Sequence, residues 1–225
     1  MHQFGSAYPD ATFMQIGAND GSARDPLKLQ IARRRWRGVM VEPVPYVFKR
    51  LAARYAGHPR IRLEQVAIAA QDGSLPFYHL REAEPNEKVW KYYHALGSFR
   101  REVLLTHDNF IPDIASRVVE TQVRCTTLNS LWERSGWGDL DLLVIDTEGY
   151  DYEILRTVDF TSMRPRLVVY EHVHLSDEDG RAARELLKRH GYRLFEHGLD
   201  TAALDSTRLT ARDEPLAKFM SEGGE

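Results

Sequence analysis

The stretch Thr12-Phe13-Met14-Gln15-Ile16-Gly17-Ala18-Asn19-Asp20-Gly21-Ser22 opens apolar and then breaks into small and acidic residues. It is expected to be a buried strand that delivers a turn. Gly17 and Gly21 permit close backbone approaches that a β-carbon obstructs, while Asn19 and Asp20 place hydrogen-bonding groups and negative charge where the strand ends. A ligand site at that tip follows. The turn lacks the third glycine of the G-x-G-x-x-G pattern, and an aspartate inside it would meet a pyrophosphate with like charge. S-adenosylmethionine carries an ammonium and a sulfonium and no phosphate, so an acidic glycine turn suits it better.

A second apolar run, Gly38-Val39-Met40-Val41, ends in Glu42-Pro43. Glu42 lies 21 positions beyond Gly21, near the offset at which Rossmann-type sites set an acid against ribose hydroxyls. One carboxylate can accept from two adjacent hydroxyls. Residues 61–70 are expected to form a third strand, on which Val66 and Ala67 could flank an adenine ring.

The remaining chain repeats this alternation. Asp25-Pro26 has the form of a helix start, with Asp25 as N-cap and the helix running over 27–36. Further helices are expected over 46–55, 128–132 and 177–190, and strands over 118–127, 141–146, 166–172, 192–195 and 201–205. Pro76 argues for an edge strand over 75–80, since it cannot donate in a central ladder. Residues 81–117 lose regularity but carry Trp90, Tyr92, Tyr93, His94, Phe99 and Phe110. Aromatic content argues against disorder, so this segment is expected to cap the site, with its tightest turn at 96–99. Strands alternating with helices imply a mostly parallel sheet with helices on both faces and ligands beyond the strands' carboxyl ends.

A chain of 225 residues fits one domain, here 1–225 with a cap insertion at 81–117. A net charge of −3 gives no electrostatic footprint for nucleic acid, and Arg33-Arg34-Arg35 reads as a solvated helix face. No apolar run suggests a membrane partner, and the N-terminus has no signal-peptide pattern, so a cytoplasmic location is the default expectation. Cys125 is the only cysteine, which excludes an intrachain disulfide and a thiolate metal cage; it is expected to be a small core residue. The tail 221–225 is expected to fray.

Asp141 to Asp151 brings a strand into three carboxylates around a glycine: Asp146, Glu148, Gly149 and Asp151. Glu171, His172 and His174 lie at the tip of another strand. A hydroxyl acceptor needs a base or an acidifying metal, and these groups are the candidates. The base is expected to be His172 or Glu148. Asp146, Glu148 and Asp151 offer enough oxygens for Mg²⁺, but the same acids suit a cofactor anchor and a helix start, so no metal is assigned.

Seven motifs occur in order: QIGANDGSARDP (15–26), VEPVPYVFKRL (41–51), AIAAQDGSLPFY (67–78), LGSF (96–99), TTLNSL (126–131), DLLVIDTEGYDYEIL (141–155) and LVVYEH (167–172). Together they resemble the FkbM family of S-adenosylmethionine-dependent methyltransferases. The resemblance implies the class I methyltransferase fold, an α/β Rossmann-like fold with a seven-stranded sheet containing one antiparallel strand, and O-methylation of a small-molecule, polyketide or sugar hydroxyl. It implies that Gly17, Asn19, Asp20 and Gly21 hold the methionine part, Glu42 the ribose, Ala67 and its neighbours the adenine, and Asp146 the sulfonium side. Ala18, Pro43 and Ser98 complete the expected cofactor set, and His172, Glu148 and Asp146 the catalytic one. Two other readings stand beside it: a nicotinamide-dependent oxidoreductase, disfavoured by Asp20 and the missing glycine, and a non-catalytic module that binds the same cofactor. The oligomeric state is not legible.

Overall fold

A computed structural model describes residues 1–22 and 25–221. Ala23 and Arg24 of the first motif, and tail residues 222–225, lie outside the described residues. The strands are β1 (Thr12–Ile16), β2 (Arg37–Val41), β3 (Ile61–Glu64), β4 (Ala67–Ile68), β5 (Gly73–Leu80), β6 (Gly97–Ser98), β7 (Val118–Thr126), β8 (Leu142–Ile145), β9 (Leu167–Glu171), β10 (Tyr192–His197) and β11 (Asp200–Asp205). The helices are α1 (His2–Ala7), α2 (Lys28–Arg33), α3 (Pro45–Arg54), α4 (Arg101–Leu105), α5 (Ile114–Arg117), α6 (Leu128–Ser135), α7 (Asp151–Leu155), α8 (Asp177–Arg189) and α9 (Glu214–Ser221).

Seven strands form one sheet in the order β10-β11-β9-β8-β1-β2-β3. All neighbours from β3 to β9 pair in parallel, whereas β11 runs antiparallel to both β9 and β10. The expected sheet with a single reversed strand is therefore present. Every residue of β1 and β8 is buried, as a parallel strand covered on both faces requires. The period of two then divides the core: Met14, Ile16, Leu143 and Ile145 pack on one face, Phe13, Leu142 and Val144 on the other. Between β1 and β8 the chain order switches direction, which opens a crevice at their carboxyl ends.

A second sheet, β4-β7-β5-β6, stands beside the first. It corrects the expected strand over 61–70, which divides: Ile61–Glu64 stays in the large sheet, while Ala67 crosses to pair with Cys125. Pro76 has its edge, since β6 meets β5 only at Tyr78 and His79. The helix expected over 27–36 is shorter, because Leu27 is its N-cap and Asp25 instead accepts from the Leu27 amide at 2.8 Å. Residues 96–99 are not a turn, because Gly97 and Ser98 pair with β5 as β6.

Residues 81–117 carry only short elements but pack a core of their own, with Leu80, Tyr93, Leu96, Leu104, Ile111 and Ile114 buried together. Cys125 is buried and free, its thiol pushed up by burial. No helix among the described residues is long and apolar enough to cross a membrane.

Candidate active site

The glycine turn is held from below and from the side. Amides of Gly17 and Ala18 both donate to the carbonyl of Val41, at 3.0 and 2.9 Å, so the turn is fixed to the end of β2. Gly17 has φ +79°, and a β-carbon there would be built into the Asp146 carbonyl oxygen. Asn19 also adopts a left-handed conformation, φ 50°. Asp20 accepts from the Ser22 amide at 2.9 Å and approaches His94 and Arg54.

Glu42 is 6% exposed. Its Oε2 accepts from the Asn19 amide at 3.0 Å and its Oε1 from the Val44 amide at 2.8 Å. One lone pair on each oxygen thus sets the loops, leaving the other lone pair of each for a ligand. Burial pushes this carboxyl up to about 7 despite the two amides.

Two adjoining cavities share a wall. The first is lined by Gly17, Glu42, Pro43, Ala67, Phe77 and Asp146 among others. Glu42 sits at its polar end, and its apolar flank includes Val66, Ile68, Phe99 and Tyr150. Phe99 lies 5.1 Å from Phe77 and 4.6 Å from Tyr150 by ring centroid, forming an aromatic side wall. This lining, a buried carboxylate, an apolar flank and a second carboxylate at Asp146, could hold a cofactor that carries both hydroxyls and an aromatic base. The second cavity holds Ala18, Asp20, Gly21, Trp90, His107, Glu171 and His174 among others, with Gly17, Asn19, Ala95, Asp146 and Glu148 common to both.

The carboxylates beyond β8 and β9 are strongly perturbed. Asp146 faces open cavity, yet the surrounding chain withholds bulk water, and that desolvation with Asp151 and Asp200 nearby raises it to about 7. Glu148, with φ 51°, is pushed well above the usual range by burial and then by Asp146. Glu171 rises to about 10 through burial and the same acidic neighbours. Oε2 of Glu148, Oε2 of Glu171 and Oε1 of Gln15 are buried without hydrogen-bond partners, and all three residues line the second cavity. His174 is held down by burial and then by His107, its Nε2 3.2 Å from Glu148 Oε2.

Three expected residues are placed elsewhere. His172 lines neither cavity; its Nδ1 lies 3.0 Å from Thr201 Oγ1, and His174, in the turn that follows β9, is the one brought to the site. Ser98 is fully buried and lines neither cavity; its hydroxyl donates to the Glu148 carbonyl at 2.7 Å, tying β6 to the loop after β8. Asp151 is also fully buried, accepting from the Thr147 hydroxyl at 2.8 Å and the Glu171 amide at 3.1 Å, so the Asp146–Glu148–Asp151 oxygen set does not form. Sequence reading missed Gln15, a polar residue inside an apolar strand, which is itself a signal. It also missed His107, for which no periodicity or spacing gave one.

The sheet order, the glycine turn at the first strand, the acid at the second and the acidic loop after β8 define a class I S-adenosylmethionine-dependent methyltransferase domain. The model of the methyltransferase FkbM domain matches residues 15–194. The chain belongs to this family. Its fold is similar to the crystal structure of methyltransferase FkbM from Methylobacillus flagellatus KT, at 12% identity and a TM-score of 0.52, covering 87% of this chain and 44% of that one. The chain thus spans less than half the length of that structure. Aeropyrum pernix fibrillarin, a structure with natively bound S-adenosyl-L-methionine, is similar over 87% of this chain and 66% of its own, at 11% identity and a TM-score of 0.45. No curated protein matches the chain.

Proposed function

We propose that the chain methylates a hydroxyl of a small molecule, polyketide or sugar, using S-adenosylmethionine bound in the first cavity. The observation that carries this reading is Glu148, which lines both cavities and keeps a buried carboxylate oxygen without a hydrogen-bond partner. A group so placed can serve donor and acceptor at once.

Bound S-adenosylmethionine would supply a methyl on a sulfonium, which becomes a neutral thioether as the methyl carbon bonds to the acceptor oxygen. Glu42 would take the ribose hydroxyls, Ala67 and the Phe77–Phe99 wall the adenine, and Asp20 with the turn amides the methionine end. Asp146 would offset the sulfonium charge. Glu148, seconded by His174, would accept the proton that leaves the acceptor hydroxyl. Desolvation raises its basicity, which is what proton removal from an alcohol demands. The cap excludes water and aligns the two reactants. Trp90, lining the acceptor side and stacked on Phe110 at 5.2 Å, favours an acceptor with a ring face, such as a sugar. A cytoplasmic setting suits the single buried thiol.

Calorimetric titration with S-adenosylmethionine and with NADH tests the reading. S-adenosylmethionine should bind and NADH should not. Binding of NADH alone would replace it with the oxidoreductase reading, and cofactor binding with no turnover on any hydroxylated acceptor would leave a binding module.

A further inference from the structure

The acceptor side of the second cavity gathers side chains that proton transfer alone does not require. His107 in the turn after α4, Glu148 after β8 and His174 after β9 each bring one nitrogen or oxygen within 4.8 Å of the other two. Asp146, Glu148 and Glu171 form a second such group sharing Glu148. We infer that this cluster binds a divalent first-row transition ion of the zinc class, held by His107, His174 and Glu148, with Glu171 closing the shell.

The donor set selects the ion. Two imidazoles with carboxylates suit zinc, cobalt or iron, whereas magnesium and calcium prefer oxygen alone. Spacing agrees as well. Two ligand atoms each about 2.1 Å from a tetrahedral ion stand about 3.4 Å apart, and His174 Nε2 lies 3.2 Å from Glu148 Oε2. Glu171 Oε2, at 4.0 Å from the same nitrogen, needs only a small inward movement.

The ligands are also oriented in advance. Nδ1 of His107 sits 3.3 Å from the Val103 carbonyl, a contact that suits the tautomer with the proton on Nδ1 and a lone pair on Nε2. Such a second-shell carbonyl is how ligating histidines are usually set. Gly149, with φ +89°, lets the Glu148 loop pass so close to His174 that a β-carbon would come within 2.9 Å of its carbonyl oxygen. That approach fixes the Glu148–His174 spacing. Glu171 is only 9% exposed, and its Oε2 has no hydrogen-bond partner. A cation would supply what that buried oxygen and its Glu148 counterpart lack.

The site stands whether or not the acceptor is a hydroxyl, and with the ion bound Glu148 is a ligand rather than the free base, so the test uses neither cofactor nor acceptor. The full chain, stripped with chelator, is titrated with Co²⁺ and followed by visible absorption. One equivalent should bind with the d–d bands of a four- or five-coordinate ion, without thiolate charge transfer, and Zn²⁺ should displace it. The His107→Ala/His174→Ala double variant and, separately, the isosteric Glu148→Gln should each lose at least tenfold in affinity, while His172→Ala should keep it. Absence of Co²⁺ and Zn²⁺ binding to the wild type, or binding undiminished in Glu148→Gln, would overturn the site. Either result in a chain that still binds S-adenosylmethionine would leave the methyltransferase reading intact and assign the carboxylates to the cofactor's positive charges.

Discussion

Gly17 and Asp146 meet so closely that the space a β-carbon would need at residue 17 is taken by the backbone oxygen of residue 146. The first and fourth strands of the parallel order thus join at their tips through bare backbone, and no side chain can be added between them.

Gly17→Ala should therefore be costly twice over, through the clash and through the left-handed φ of +79°. A loss of about 3 kcal/mol or more is expected, roughly 10 °C in Tm. Thermal unfolding of the variant checks it, and the variant should lose cofactor binding as well.

Glu42 gives a pH signature. Its carboxyl is raised from 4.5 to about 7 in the folded chain, so its contribution to stability is complete below the unfolded value and is lost as pH rises through about 7. Without cofactor, the wild type should lose at most about 3 kcal/mol relative to Glu42→Gln between pH 4.5 and 8. Urea unfolding of both across that range is the measurement; parallel curves would place the titration elsewhere.

Cofactor binding should couple to the same protons. A ligand with two positive centres favours ionised Glu42 and Asp146, both raised to about 7. Affinity should rise from pH 6 to 8 with net proton release, read by calorimetry in buffers of different ionisation enthalpy. Asp20→Asn, removing one charge from the methionine end, should weaken binding roughly tenfold by losing a charge-assisted contact.

Ser98→Ala should free the cap rather than the chemistry. The fully buried hydroxyl donates to the Glu148 carbonyl and accepts from the Arg100 amide at 3.1 Å. A loss of about 1–3 kcal/mol is expected, with faster limited proteolysis inside residues 81–117.

Turnover should separate the two histidines. His172→Ala should stay within about twofold of wild type, since its ring contacts Thr201 away from both cavities, whereas Glu148→Gln should lose on the order of 100-fold. Equal losses would return His172 to the site.

What the sequence made legible was local. Apolar runs ending in glycine or acid located β1, β2, β8 and β9, and their carboxyl ends carry the cofactor candidates Gly17, Glu42 and Asp146 because side-chain type and strand end are adjacent in sequence. What it hid was non-local. The break after Glu64 depends on Ala67 finding Cys125 across 58 positions, and nothing in residues 61–70 announces a change of sheet. His107 joins Glu148 and His174 only because the cap folds back over the sheet. Ser98 sits in a legible motif, yet its partner is a backbone carbonyl, and carbonyls leave no mark in a sequence.

The cap's separate core has a consequence for how such a chain can change. Gly17, Glu42 and Asp146 come from the tips of the large sheet, whereas Trp90, Tyr92 and His107 arrive on one uninterrupted segment with its own packed interior. Exchanging residues 81–117 between relatives would replace much of the second cavity's wall in a single graft, and Phe99 of the first cavity with it, while Glu42, Ala67 and Asp146 would stay in place.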